Sequence, residues 1–208
     1  MKRKRIGEGK VYLLPVIHGL KGEEEKVRKA FEKVKPDCVA IGIPPEDIEI
    51  MEKMDEKNEE EFEMSLQYQY YLFHLSKYGE ISLPPLDIKV AYEMAKASGV
   101  PFKAIDIDDE EYAELLVDNV SIFSLIRHSA KIRRMGKKKF KAKSAEEFVK
   151  EWNREILSIK AFRRLEEIRN GRMAQRIAEL CNKYRKVLAI IPLEKYDSIS
   201  MMLERYKK

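Results

Sequence analysis

Apolar positions along the chain fall into four short runs and several longer, periodic stretches. The runs at 11–17, 38–43, 102–107 and 187–191 are nearly continuous in apolar residues and bounded by Gly, Pro, Asp or Lys, as expected of strands covered on both faces. Between them apolar residues recur every three or four positions. Val27, Ala30, Phe31 and Val34 mark the inner face of a helix over 23–35, whose three leading glutamates suit its positive end. Asp87 opens a helix through Ser98, with Gly99 as its stop. A helix-rich block is predicted over 110–135. Ser144 and Glu147 form a capping box for a long helix through about 169, with Asn170-Gly171 as a candidate break and an apolar stripe continuing to Cys181. Residues 1–9 read as a basic lead-in of which only Ile6 reaches the core, and 197–208 as a short amphipathic helix.

The order is strand, helix, strand, a helical insertion at about 46–80, helix, strand, a long helical section, then strand and helix. Strands alternating with helices predict an α/β fold, with a small, mostly parallel or mixed central sheet and helices on both faces. The whole of 1–208 reads as one domain. Parallel strands present their C-terminal ends at one edge, where such folds place their chemistry. His18-Gly19 follows the first strand and Pro44-Pro45-Glu46 the second.

Within the insertion, a helix over about 45–54 and a second over about 59–78 are expected. The second contains Tyr68, Tyr70, Tyr71 and Tyr78 and is apolar all round, which indicates a core or a contact between copies, so self-association through 65–78 is one expectation. His74 within it reads as a hydrogen-bonded core or interface histidine. The tract 127–143 has nine Lys/Arg and no acid, and reads as a basic, mobile loop. It allows a contact with nucleic acid, an anionic surface or an acidic partner. Only Phe140 interleaves its charges, so the stacking platform of a single-strand binder is missing.

Composition narrows the classes. Charged residues are 37% of the chain, rich in Lys, Glu and Arg, and threonine is absent, a bias that fits a thermophile's ion-paired surface. Cys38 and Cys181 sit in apolar surroundings and read as free buried thiols. The basic start lacks the apolar stretch of a signal peptide, and no run is long and apolar enough to span a membrane, so a soluble, cytoplasmic protein is expected.

No glycine-rich phosphate loop, Cys-x-x-Cys or His-Glu-x-x-His motif is present. Imidazole is limited to His18, His74 and His128. His18 is the leading catalytic or metal-binding candidate because it ends a core strand. Glu46, Asp47, Asp106, Asp108 and Glu194 are the acids expected at the same edge, with Glu46 the second metal candidate. Asp106, Asp108 and Asp109 read first as acids at a helix start, since an EF-hand's glycine and closing glutamate are missing.

The segments also resemble the TraB/PrgY family, which belongs with the Tiki proteases and EreA/ChaN-like proteins. Pro15-Val16-Ile17-His18 resembles its Gly-x-x-His strand end, and Pro36-Asp37-Cys38-Val39-Ala40-Ile41 its Pro-Asp-x-Val-x-Val-Glu strand. Residues 85–91 are similar to its Gly-x-Glu-Met-x-x-Ala helix start, Ile105-Asp106-Ile107 to its Ile-Asp-Arg strand end, and Arg169-Asn170-Gly171-Arg172-Met173-Ala174 to its Arg-containing helix. Residues 190–195 resemble its closing strand and loop.

The resemblance implies an EreA/ChaN-like fold and a hydrolase or peptidase using two histidines, a strand-end glutamate and a divalent metal such as Mn, Co or Zn. His18, Asp106 and Arg169 match family positions. Gly42 stands where the glutamate would be, Lys195 where the second histidine would be, Ile107 for the Arg after Ile-Asp and Ile168 for the Glu before Arg169. A glycine has no side chain to ligate a metal and a protonated lysine repels one. The leading expectation is therefore a degenerate hydrolase site, without a bound metal, that binds a ligand or partner. An active hydrolase with Glu46, Asp87 or Glu194 as replacements is the alternative, and a self-assembling protein with a basic contact tract is the third.

Overall fold

Five strands form one sheet in the order β1-β2-β5-β3-β4. The computed structural model describes residues 1–48 and 64–207. β2 (Gly9–Val16), β5 (Lys186–Pro192), β3 (Cys38–Ile41) and β4 (Phe102–Ala104) are parallel, and β1 (Lys2–Ile6) pairs antiparallel with β2. The expected mixed α/β sheet is therefore present.

The edge strand β1 corrects the reading of residues 1–9 as an irregular lead-in. Its Lys and Arg residues hide the strand in sequence, since alternation is carried by only one apolar residue. Lys4 and Ile6 point inward, and the Lys4 ammonium is satisfied by the Ser200 carbonyl and the Glu204 carboxylate. Edge strands commonly carry such charges.

Each face of the sheet is covered. Val16, Val39, Ile41, Leu188 and Ile190 pack against α1 (Glu23–Val34) and α3 (Leu86–Ala97). On the other face, Val11, Leu13, Ala40, Val187 and Ala189 meet α7 (Lys160–Lys183) and α8 (Leu193–Met202). Adjacent strand residues thus belong to opposite cores, which explains why the strand runs do not alternate.

A third core lies beyond the C-terminal ends of the strands. There α2 (Leu66–Leu75), α5 (Ile122–Gly136) and α6 (Ala145–Ile156) close around Phe148 and Trp152, with Ile17 and Leu193 at its base. Tyr71 packs on both of those rings, and the Tyr78 hydroxyl donates to the Ala142 carbonyl at 3.1 Å. The tyrosines of 65–78 are engaged within the chain, while Phe73 and Leu66 stay exposed.

Helix boundaries differ from expectation at three points. The block over 110–135 is two helices, α4 (Asp109–Asn119) and α5, because Ser121 caps a second start by accepting from the Ser124 N–H. The helix opened by Ser144 stops at Ile156, and α7 then runs unbroken through Asn170-Gly171. α8 starts at Leu193 directly after β5, four residues earlier than expected. The basic tract is also not one loop: 127–136 belong to α5 and only 137–143 are irregular, with Lys131 and Lys138 paired to Glu155. In the capping box, Glu147 N–H donates to Ser144 Oγ while the Glu147 carboxylate reaches back to the Lys143 N–H. The expected helix over 45–54 and the start of that over 59–78 lie largely outside the described residues, which include the helical turn at 45–48 and α2.

Candidate functional site

The strand ends meet at one edge, and the residues that follow them are polar. His18 follows β2, Glu46 and Asp47 follow β3, Asp106 follows β4, and Glu194 and Lys195 follow β5. β2 and β5 are neighbours, yet the helices after them leave to opposite faces, α1 to one and α8 to the other. Such a divergence opens a crevice at the strand ends. His18 and Glu194 follow these two strands and lie close enough for each to feel the other's charge.

His18 is held by Asp87. Its Nδ1 lies 2.5 Å from Asp87 Oδ2, and Asp87 Oδ1 accepts from the Gly19 N–H at 3.3 Å. Asp87 therefore does not cap its helix as expected; Pro85 occupies that place and Asp87 turns its first-turn carboxylate toward the 18–19 turn. Gly19 has φ +83, a left-handed conformation that a side chain would strain. The turn is tied down by Ser82 N–H to the Gly19 carbonyl, 2.8 Å, and Lys21 N–H to the Glu80 carbonyl, 2.9 Å.

The Asp87 side chain is fully buried and that of His18 is 17% exposed. A carboxylate on Nδ1 places the imidazole proton there, which leaves the Nε2 lone pair free. Among the described residues, buried Nε2 has no hydrogen-bond partner. The ring is thus fixed on one side and buried without a described partner on the other.

Burial opposes the His18 imidazolium, but the charge and hydrogen bond of Asp87, with further help from Glu194 and Glu23, outweigh it and raise its pKa above the ordinary histidine value. Burial also raises the Glu194 carboxyl, against the pull of a backbone hydrogen bond, Lys195 and His18. Asp47 is raised as well, by burial first and then by the nearby Asp109 and Glu46. Tyr68 and Tyr71 complete the surroundings. Burial and the charges of Asp87 and Asp47 push the Tyr68 phenol up to about 12, and its hydroxyl lies 3.9 Å from where a Cβ on Gly19 would stand. Tyr71 is held far above its ordinary value by burial and by Glu194. These two phenols remain neutral donors at physiological pH.

Beside this pair runs an ionic chain. Arg169 binds Asp106 through Nη2 to Oδ2 at 2.7 Å and Nε to Oδ1 at 3.3 Å, and reaches Glu166 at 3.5 Å; Glu166 in turn takes the ammonium of buried Lys195. The sequence candidates thus divide into two groups. His18, Asp87 and Glu194 come together, and Asp106 meets Arg169. Glu46 instead accepts from the Asp109 N–H at 3.2 Å and Asp108 caps α4, both at the start of that helix. His74 donates from Nε2 to the Met135 and Gly136 carbonyls and accepts from Lys77 at Nδ1, as a structural core histidine does.

Among the described residues no three of His, Cys, Asp or Glu are grouped to hold an ion. The Lys195 cation, at the position where the resembled pattern would put a second histidine, is turned to Glu166. At Gly42 a Cβ would stand 2.5 Å from Pro192 Cδ and 3.0 Å from Met173 Cε, so no carboxylate has room there.

Sequence reasoning did not bring Tyr68 and Tyr71 to this site. Their spacing of three placed them on one helix face, but which face meets the strand ends depends on how α2 packs.

The histidines give a direct check. In a proton NMR titration His18 is expected above the ordinary value of about 6.5 and His74 and His128 below it, the latter two lowered chiefly by burial. Asp87→Asn removes the charge that offsets burial and brings His18 below 6.5. Because the folded value is the higher one, the stability contributed by the pair is full below about pH 6.5 and is lost as pH rises through the folded value. Three histidines titrating together, or no response to Asp87→Asn, would contradict the geometry.

The chain matches no protein-family model, and no curated protein matches it.

Proposed function

We propose that this is a TraB-like α/β protein whose metal-hydrolase residues are lost and whose His18–Asp87 pair serves as a general base in hydrolysis of a small ester or amide. The observation that carries this reading is an imidazole whose Nε2 has no partner among the described residues and whose other nitrogen is fixed by a fully buried carboxylate. Perturbed, desolvated acid–base groups at strand ends are candidates for acid–base chemistry.

In the proposed step, a water donates its proton to His18 Nε2 while its oxygen attacks the substrate carbonyl carbon. Asp87 accepts from Nδ1–H and stabilises the imidazolium. As the carbonyl–heteroatom bond breaks, a proton passes to the leaving group from the imidazolium or from Glu194, whose raised carboxyl suits it to that role. Tyr68 and Tyr71 are the neutral donors available for the carbonyl oxygen.

The test is hydrolysis of a panel of p-nitrophenyl esters and anilides by the purified protein. His18→Gln is expected to lower turnover by about a hundredfold, the scale of general-base catalysis. Activity should rise with pH through the raised His18 value, since only the neutral ring accepts a proton. Turnover equal in wild type and His18→Gln would overturn the hydrolase reading.

A second reading, ligand binding without turnover, is favoured by the packed Gly42 and by the Glu166–Lys195 pairing. It is distinguished by a ligand-induced rise in unfolding temperature that His18→Gln abolishes and that no hydrolysis accompanies.

A further inference from the structure

The helix α5 has an outer face that none of the described residues covers. Ser124, His128, Ile132 and Met135 turn inward, and the positions offset from them by half a turn are exposed. Near its start these are Ile122, Phe123 and Ile126, exposed to 73, 80 and 61%. Side chains of this size are normally the first to be buried, and here three of them stand out along one helix.

The same face becomes basic toward its end. Arg127, Arg133 and Arg134 follow at helical spacing, and Lys137 and Lys139 continue beyond the last turn, all exposed. Lys131 and Lys138, by contrast, are already paired with Glu155. No ion pair joins these five exposed cations to the described residues. The neighbouring α4 shows acids, Glu110, Glu114 and Asp118, so the apolar-and-basic surface belongs to α5.

We propose that α5 is a peripheral docking surface for an anionic lipid bilayer. Charge selects the occupant: the tract 127–143 contains nine Lys/Arg and no acid. The apolar part is a row of projecting Ile and Phe side chains, the form that inserts below lipid headgroups while neighbouring basic residues meet their phosphates. Single-strand readers need several aromatics where this face has one. Docking here is attachment to a surface; among the described residues no helix is long and apolar enough to cross a membrane.

The test is co-sedimentation of the full chain with vesicles of phosphatidylcholine, alone and with phosphatidylglycerol added. Binding is expected only with the anionic lipid and should weaken as salt rises. Phe123→Ser with Ile126→Ser, and separately Arg133→Gln with Arg134→Gln, are each expected to lower the partition coefficient about tenfold or more, since apolar insertion and charge attraction both contribute. These side chains are exposed, so unchanged unfolding midpoints confirm that the variants fold. Failure to bind anionic vesicles overturns the proposal. So does binding that survives loss of Phe123 and Ile126, which would be simple charge adsorption. Concentration-dependent dimerisation lost in the apolar variant, without vesicle binding, would assign the face to a second copy instead.

Discussion

Asp106→Ala is expected to lower folding stability by about 3–5 kcal/mol, the cost of leaving a buried ion without its partner. Asp106 is 2% exposed and takes both forks of Arg169 as well as the Ile107 N–H at 2.9 Å. Burial works against the Arg169 guanidinium, and Asp106, followed by Glu166, keeps its pKa above the ordinary value. Without Asp106 the guanidinium keeps, among the described residues, the Tyr112 ring at 5.3 Å and Glu166 at 3.5 Å, and Glu166 is already engaged by Lys195. The cation then loses its two shortest ionic contacts, and the Ile107 amide loses its acceptor.

Urea unfolding gives the measurement. Arg169→Met in the Asp106→Ala background is expected to recover part of the loss, because it removes the stranded charge and keeps the bulk. A single variant within about 1 kcal/mol of wild type would show that the pair is a surface ion pair rather than a buried one.

How much of this was readable beforehand depends on the range of the interaction. Strands at 11–17 and 187–191 and the helix over 23–35 were legible because burial on both faces, or on one stripe, leaves its period in the chain. His18, Asp106 and Glu194 could be assigned to one sheet edge because parallel strands put their C-terminal ends together. The contact between His18 and Asp87 could not. Asp87 at a helix start has a sufficient local role as a cap, and only the packing of α3 against α1 and β3 brings it to the turn after β2. β1 escaped for a related reason: Lys4 occupies an inward position where a hydrophobic residue would have shown the alternation. The split of 110–135 was hidden because apolar residues continue across Val120-Ser121, although Ser121 is itself a helix-start residue.

Gly42 carries the other large expected effect. In the sequence it is a glycine where the family it resembles has a glutamate, and the structure shows what has taken the space. The Gly42 N–H donates to the Ile190 carbonyl at 2.9 Å, which holds the end of β3 against β5, and Pro192 and Met173 close over the α-carbon. Met173 Cε can swing aside, but the Pro192 ring is fixed to the strand end. Gly42→Ala is therefore expected to cost about 1–3 kcal/mol by overpacking. Gly42→Glu adds the burial of a carboxylate with no partner and should cost more than about 4 kcal/mol, enough to leave a marginal protein largely unfolded. Pro192→Ala combined with Gly42→Ala should relieve the first penalty; if it does not, the proline contact is not its cause. Thermal unfolding of Gly42→Glu with and without Mn²⁺, Co²⁺ or Zn²⁺ then asks whether the carboxylate alone rebuilds a metal site. The expected result is an unstable protein that no divalent ion rescues, because the Lys195 cation remains at this edge, turned to Glu166, and no second histidine joins His18 among the described residues there. A Gly42→Glu protein as stable as wild type and further stabilised by one of these ions would mean that this edge still holds a metal site one substitution away.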